Sequence, residues 1–164
     1  MTNSISLAGK RILITGGARG LGRSFARAVV DAGAKVAVAD ILVEEGQSTS
    51  HSIGANFFEL DLTQPESITI CMEQVAAKLG GLDGLINNGA IATAVGGLNM
   101  AEIEIDQWDK VMTVNVRGTW LMSCAAVPHL AESGNGKILN LASDTVLWGA
   151  PKLMHYVASK GAVI

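Results

Sequence analysis

The sequence predicts an α/β chain built on a doubly wound parallel sheet, incomplete after its fifth strand. Short apolar runs alternate five times with segments of helical periodicity. The first run opens directly into a glycine-rich turn, and the fifth ends beside a serine, at the edge where open parallel sheets bind ligands. Right-handed crossovers would then place helices on both faces. With 164 residues, 49% of them hydrophobic and 16% charged, one folded domain spanning 1–164 has enough apolar material for a core. No repeat, second domain or low-complexity linker interrupts the pattern.

Arg11 to Thr15 (RILIT) reads as the first strand, followed by Gly16, Gly17, Ala18, Arg19, Gly20, Leu21 and Gly22 and then by a helix with Leu21, Phe25, Ala28 and Val29 at three- and four-residue spacing. Glycines at such a turn permit positive φ and let backbone approach a pyrophosphate, whose charge the helix N-terminus favours. A tight turn without a ligand fits the same residues. Lys35 to Ala39 is a second buried strand ending in Asp40, 18 residues beyond Gly22. A carboxylate there can accept from both hydroxyls of an adenosine ribose and repel a 2′-phosphate, favouring NAD over NADP. Arg19 pulls the other way, and a plain strand-end turn is the simpler alternative for Asp40.

A polar helix over Leu42 to Ile53 leads to a third strand, Asn56 to Leu60, which runs into Asp61 and Leu62. Asp61 can meet an adenine edge or serve as a loop acid before the helix of Pro65 to Leu79, where proline suits the first turn. Gly84 to Asn87 is the fourth strand, closing on Asn88, Gly89 and Ala90, residues small enough to leave room for a ribose. The glycine- and alanine-rich connection from Ile91 to Met100 has the composition of a mobile loop. One long helix is expected from near Asp106 to about His129, its apolar face interrupted by Asn115, which is either a satisfied core amide or part of a polar relay. Lys137 to Leu141 is the fifth strand, with Ser143 just beyond it.

Tyr156 and Lys160 are four residues apart, so on a helix they share a face. A phenol is a poor base near neutral pH, and a neighbouring cation favours its charged form; the pair is therefore a candidate for proton transfer. A chance Tyr and Lys at the start of an amphipathic helix would look the same. Val146, Leu147, Trp148 and Met154 suggest an apolar wall beside it, the tryptophans are expected mainly in the core, and His129 and His155 read as surface or packing residues. Cys71 and Cys124 lie far apart without metal-ligand spacing, which points to buried free thiols and no metal site.

Together these residues resemble the short-chain dehydrogenase/reductase family, in its group with a T-G-x-x-x-G-x-G turn, from about Leu7 onward. Thr15, Gly16, Gly20 and Gly22 fit the glycine motif, Asp40 the acid of NAD-preferring members, and Asp61 the adenine contact. Asn115 fits the active-site asparagine, Ser143 the substrate-orienting serine, and Tyr156 with Lys160 the Y-x-x-x-K pair, here Y-V-A-S-K. The resemblance implies a Rossmann-like NAD(P)-binding domain that binds NAD, with NADP the lesser alternative. It implies hydride transfer with a small-molecule secondary alcohol or ketone: Tyr156 as acid–base, Ser143 orienting the oxygen, Lys160 supporting the tyrosine and the ribose, and Asn115 anchoring a water. It also implies a homodimer or homotetramer for the full-length protein. Two departures stand out. Relatives usually carry N-N-A-G where this chain has Asn87, Asn88, Gly89 and Ala90, and they continue through further strands and a substrate lid, so the chain is expected to be a C-terminally truncated fragment.

A net charge of −3 without a basic stripe argues against nucleic acid, and the absence of an apolar leader or long apolar run argues against a membrane and for the cytoplasm. Two other functions compete. A nucleotide-sugar epimerase or dehydratase of the extended branch would carry G-x-x-G-x-x-G, which Gly16, Gly20 and Gly22 do not match. A dinucleotide-binding fragment without turnover would have no need of Ser143, Tyr156 and Lys160.

Overall fold

The computed structural model describes residues 6–92 and 95–164. Five strands, β1 (Arg11–Thr15), β2 (Lys35–Asp40), β3 (Asn56–Glu59), β4 (Gly84–Asn87) and β5 (Lys137–Asn140), form one parallel sheet in the order β3-β2-β1-β4-β5. The chain moves outward from β1 through β2 to β3, then returns to the other side of β1 for β4. That reversal opens a crevice beyond the C-terminal ends of β1 and β4, where an α/β sheet can seat a ligand.

Helices α1 (Gly20–Asp31), α2 (Val43–Ile53) and α3 (Pro65–Leu79) connect the first four strands. Alternation along the strands divides the core into two layers. Leu13, Ala37, Ala39 and Leu85 pack with Ile68, Met72 and Val75 of α3 and with Met122 and Ala126. Ile12, Ile14, Val36 and Val38 face Ala26, Phe25 and Val29 of α1 together with Phe57. Helix α3 starts with Pro65 in its first turn and stops at Gly80, whose φ of 77° suits a glycine.

The single helix expected from Asp106 to His129 is divided. Residues form α4 (Ile105–Met112), a π-helical segment (Thr113–Gly118) and α5 (Thr119–Glu132), after a 3-10 turn at Met100–Glu102. The widened turn carries Asn115, whose side chain bonds outside its own helix. It also carries Gly118, where an added Cβ would come within 2.9 Å of Leu62 Cβ. A π-turn admits one residue more than the regular period and redirects the side chains around it. The short helix α6 (Thr145–Trp148) and then α7 (Met154–Val163) follow β5. Helix α7 packs against the π segment, α4 and α6.

Two side-chain expectations are corrected. Trp120 and Trp148 are 61% and 60% exposed, and Cys124 is exposed while Cys71 is buried. Helix α5 is apolar nearly all round, and only the face bearing Met122, Ala126 and Leu130 meets the sheet side; apolar residues on its other faces are left outside that contact. Strand β5 is likewise exposed along all four residues. The expectation of a mobile 91–100 connection includes 93–94, and the reading of the leader includes 1–5; both sets lie outside the described residues.

Candidate active site

The glycine turn lets the backbones of β1, α1 and the loop after β4 approach closely. Gly16 has φ of 64°, and a Cβ there would lie 2.5 Å from Gly89 Cα; one on Gly22 would lie 2.1 Å from the Gly16 carbonyl oxygen. Neither position has room for a side chain. Thr15 Oγ1 accepts from the N–H groups of Asn88 (3.2 Å) and Gly89 (3.0 Å), and Asn88 Nδ2 donates to the carbonyls of Thr15 (3.1 Å) and Gly16 (2.9 Å). These bonds account for Thr15 and Asn88 as organisers of the cradle. Gly89, with Ala90 after it, is the exchanged pair: a Cβ at 89 would meet Leu62 Cδ1 at 2.9 Å and Thr15 Oγ1 at 3.2 Å. With glycine here, Leu62 closes over the loop without clash.

The cradle also has the features that an anionic ligand requires. Helix α1 has no side-chain cap and no acidic residue in its first turn, so its leading N–H groups and positive dipole end are available to an anion. Gly20, at φ of 57°, has open space where a Cβ would be, and Arg19 and Leu21 beside it are exposed. Asp40 stands at the end of β2, its carboxylate accepting from the N–H groups of Ala18 (2.9 Å) and Leu42 (3.1 Å). Lone pairs remain on both oxygens, so each can accept a further hydroxyl donor. Asp61 accepts from the N–H and hydroxyl of Thr63 through Oδ1 (2.8 and 2.7 Å), and its own N–H donates to Ser67 Oγ. The loop-acid alternative for Asp61 is thus realised by one oxygen, the other having no hydrogen-bond partner among the described residues.

Across the crevice, α7 brings Lys160 back to the C-terminal end of β5. Its Nζ donates to the Leu141 carbonyl at 2.5 Å and stands 5.9 Å from the centroid of the Tyr156 ring. Only 5% of Lys160 is exposed, and this burial lowers its pKa from the ordinary lysine value. Two residues beyond Leu141, Ser143 Oγ accepts from the hydroxyl (2.9 Å) and N–H (3.3 Å) of Thr145. Its own proton has no acceptor among the described residues, so it can point toward a ligand oxygen.

Asn115, 1% exposed, is held on every side. Its Oδ1 accepts from the Ile91 N–H (2.8 Å), while Nδ2 donates to the Ile91 carbonyl (3.1 Å) and to Ser159 Oγ (3.0 Å). Of the two readings left open by the sequence, the side chain realises the satisfied amide. Ser159, fully buried, in turn donates to the Tyr156 carbonyl at 2.7 Å. Sequence reasoning passed over Ser159, although its position within Y-V-A-S-K, beside the lysine, was the available signal. His155 is fully buried, and among the described residues neither ring nitrogen has a partner, which agrees with a packing role.

The wall residues Leu147, Trp148 and Met154 are 84%, 60% and 51% exposed. A surface cavity of about 250 Å³ lies close by, lined by Met100, Ile103, Ile105, Trp108 and Met154. No cluster able to hold a metal and no helix long and apolar enough to cross a membrane occurs among the described residues.

Comparison with known proteins places this geometry in context. A family model described as short chain dehydrogenase matches residues 10–164. A 2,5-dichloro-2,5-cyclohexadiene-1,4-diol dehydrogenase of Sphingobium indicum is 39% identical over 161 residues, covering 96% of this chain and 64% of the relative. A 3-alpha-(or 20-beta)-hydroxysteroid dehydrogenase of Mycobacterium tuberculosis is 38% identical over 162 residues, covering 96% and 60%. A sorbitol dehydrogenase of Cereibacter sphaeroides is 39% identical over 161 residues, covering 96% and 62%. The chain thus spans between 60% and 64% of the length of these curated relatives.

Proposed function

The chain belongs to the short-chain dehydrogenase family, and on that premise we propose that the whole protein is an oxidoreductase. It moves a hydride between NAD(H) and a secondary alcohol or ketone, with Tyr156 as acid–base. The observation that carries this reading is Lys160, a buried ammonium that donates to the Leu141 carbonyl just beyond β5 and stands 5.9 Å from the Tyr156 ring centroid.

The cofactor, when bound, supplies the hydride acceptor or donor. The chain supplies position and charge. The first amides of α1 and the close backbone of Gly16, Gly20 and Gly22 hold the pyrophosphate, while Asp40 takes the ribose hydroxyls and disfavours a 2′-phosphate. Asp61 and Leu62 flank the adenine side, and Asn88, Gly89 and Ala90 leave space along the sugar. In oxidation Tyr156, as phenolate, takes the substrate hydroxyl proton; in reduction it returns one. Ser143 donates to the same substrate oxygen. Lys160 favours negative charge on the phenol oxygen and binds the second ribose. Asn115 fixes the catalytic helix, so its contribution through the side chain is positional.

The exposed apolar side chains of Leu147, Trp148 and Met154 support an apolar substrate skeleton around the reacting carbinol. The named relatives act on ring diols, steroids and a polyol, so the carbinol is the shared chemistry. We place the protein in the cytoplasm, as a single domain to which the remainder of the full-length chain adds substrate contacts and a homodimeric or homotetrameric assembly.

The test is Tyr156→Phe in the full-length protein, with NAD reduction followed on a panel of apolar secondary alcohols. Turnover should fall by about 10² to 10⁴, the range of general acid–base catalysis, while NADH still binds. Unchanged turnover would sink the mechanism.

A further inference from the structure

We propose that Ser159 is a positioning residue, locking the helix that carries Tyr156 and Lys160 to the loop after β4 through Asn115. This rests on the function proposed above. Residues 155 and 159 lie one turn apart on α7 and are both fully buried, whereas 156 and 160 occupy the neighbouring stripe that faces the sheet edge. The rotation of α7 about its axis therefore decides where the phenol points.

Two polar contacts set that rotation. Lys160 reaches the Leu141 carbonyl on one side, but its long stem can follow a turning helix and keep the bond. Ser159 has no such slack: its Oγ sits one bond from Cβ, accepts from Asn115 Nδ2 at 3.0 Å and donates to the Tyr156 carbonyl at 2.7 Å. Both functions of the hydroxyl are thereby used. Asn115 in turn grips both backbone groups of Ile91 (2.8 and 3.1 Å), one residue after Ala90 and the small residues that we place along the ribose. The π segment explains how Asn115 can do this, since the widened turn frees its side chain to bond between α7 and the loop. One hydrogen-bonded line thus runs from the cofactor side, through Asn115 and Ser159, to the backbone of the acid–base tyrosine. Every member is buried or half-buried, and breaking it leaves the Asn115 N–H without a partner.

The experiment uses the full-length enzyme with Ser159→Ala and Ser159→Thr. Alanine removes the hydroxyl and should lower kcat by roughly ten- to a hundredfold, the scale of a small misplacement of reacting groups, while KM for NAD and the NADH dissociation constant stay near the parent's. The pH profile of kcat should change shape in Ser159→Ala and return toward the parent's in Ser159→Thr, which keeps the hydroxyl. Parent-like kcat and pH profile in Ser159→Ala overturn the proposal, as does Ser159→Thr performing no better than alanine. Activity lost only in proportion to folded protein, followed by circular dichroism, makes Ser159 merely structural and also overturns it. Amide exchange at Ile91 separates this proposal from the proposed function. If the parent oxidises no alcohol, faster exchange there in Ser159→Ala still supports the lock, and parent-like exchange refutes it.

Discussion

At the residue scale, the chemistry turns on how a buried cation is tolerated. Among the described residues Lys160 forms one hydrogen bond, to the Leu141 carbonyl, and burial lowers its pKa from the ordinary lysine value. The unfolded chain therefore holds more protons on this group than the folded one, from the depressed folded value up to about 10.4. Stability contributed by this site rises with pH through that window, because the folded state is relieved of a desolvated charge. Lys160→Met, similar in length and without charge, should remove this dependence. Near neutral pH its stability should lie within about 1 kcal/mol of the parent's, the loss of one hydrogen bond being offset by the ammonium that need no longer be buried. Turnover should be lost. Denaturant unfolding of parent and variant at several pH values checks this, and parallel stability curves would refute it. Cys71 shows the same desolvation acting on an acid: burial pushes its thiol up to about 12, which makes it unreactive. Its place in the core follows from the apolar spacing of Ile68, Met72 and Val75, whereas the outward position of Cys124 does not follow from sequence, because α5 is apolar on several faces.

At the element scale, one ion pair ties the start of β1 to the loop before β4. Arg11 Nε and the Arg11 N–H both donate to Asp83 Oδ2, at 2.7 and 2.9 Å, and the same guanidinium reaches the Gly80 carbonyl. The Arg11 hydrogen bond holds the Asp83 carboxyl below its usual value. Its stabilisation is present above the unfolded carboxylate value, about 3.9, and is lost as pH falls through the lower folded one. Asp83→Asn should therefore cost about 1 kcal/mol at neutral pH, between the values for exposed pairs and for charge-assisted bonds. The cost should disappear in acid. Urea unfolding at neutral and acid pH measures both, and a cost that persists undiminished in acid would show that charge is not its source. The five strands and the helices α1 to α3 were legible from periodicity, as were the glycine turn and the Tyr–Lys spacing, because each is written in neighbouring residues. The π segment was not. It depends on Asn115 finding Ile91 and Ser159, 24 and 44 residues away, and no local pattern carries a partnership of that range. For the same reason Ser159 carries no signal in sequence beyond its place in Y-V-A-S-K.

At the scale of the whole molecule, the sheet is asymmetric. Strands β3 and β5 form its two edges, each bonded to one neighbour among the described strands, but β3 is half-buried under α2 over three of its four residues while β5 is exposed along its length. Ile138 and Leu139 on β5 are 38% and 53% exposed. A buried parallel strand is ordinarily apolar on both faces because helices cover it; here the apolar residues are in place and the cover is partial. An apolar edge with unpaired backbone groups is a template for pairing with another chain, and Trp120 and Val127, 61% and 54% exposed, add apolar surface nearby in sequence. The 164-residue polypeptide expressed alone should therefore self-associate as its concentration rises. Leu139→Lys should reduce that association, since a charge on an edge strand opposes stacking of a second copy, and leaves the strand's bonds to β4 intact. Light scattering coupled to size exclusion reads both. A monodisperse monomer at all concentrations would contradict the argument from the edge, and association unaffected by the lysine would move its origin from β5 to the exposed face of α5.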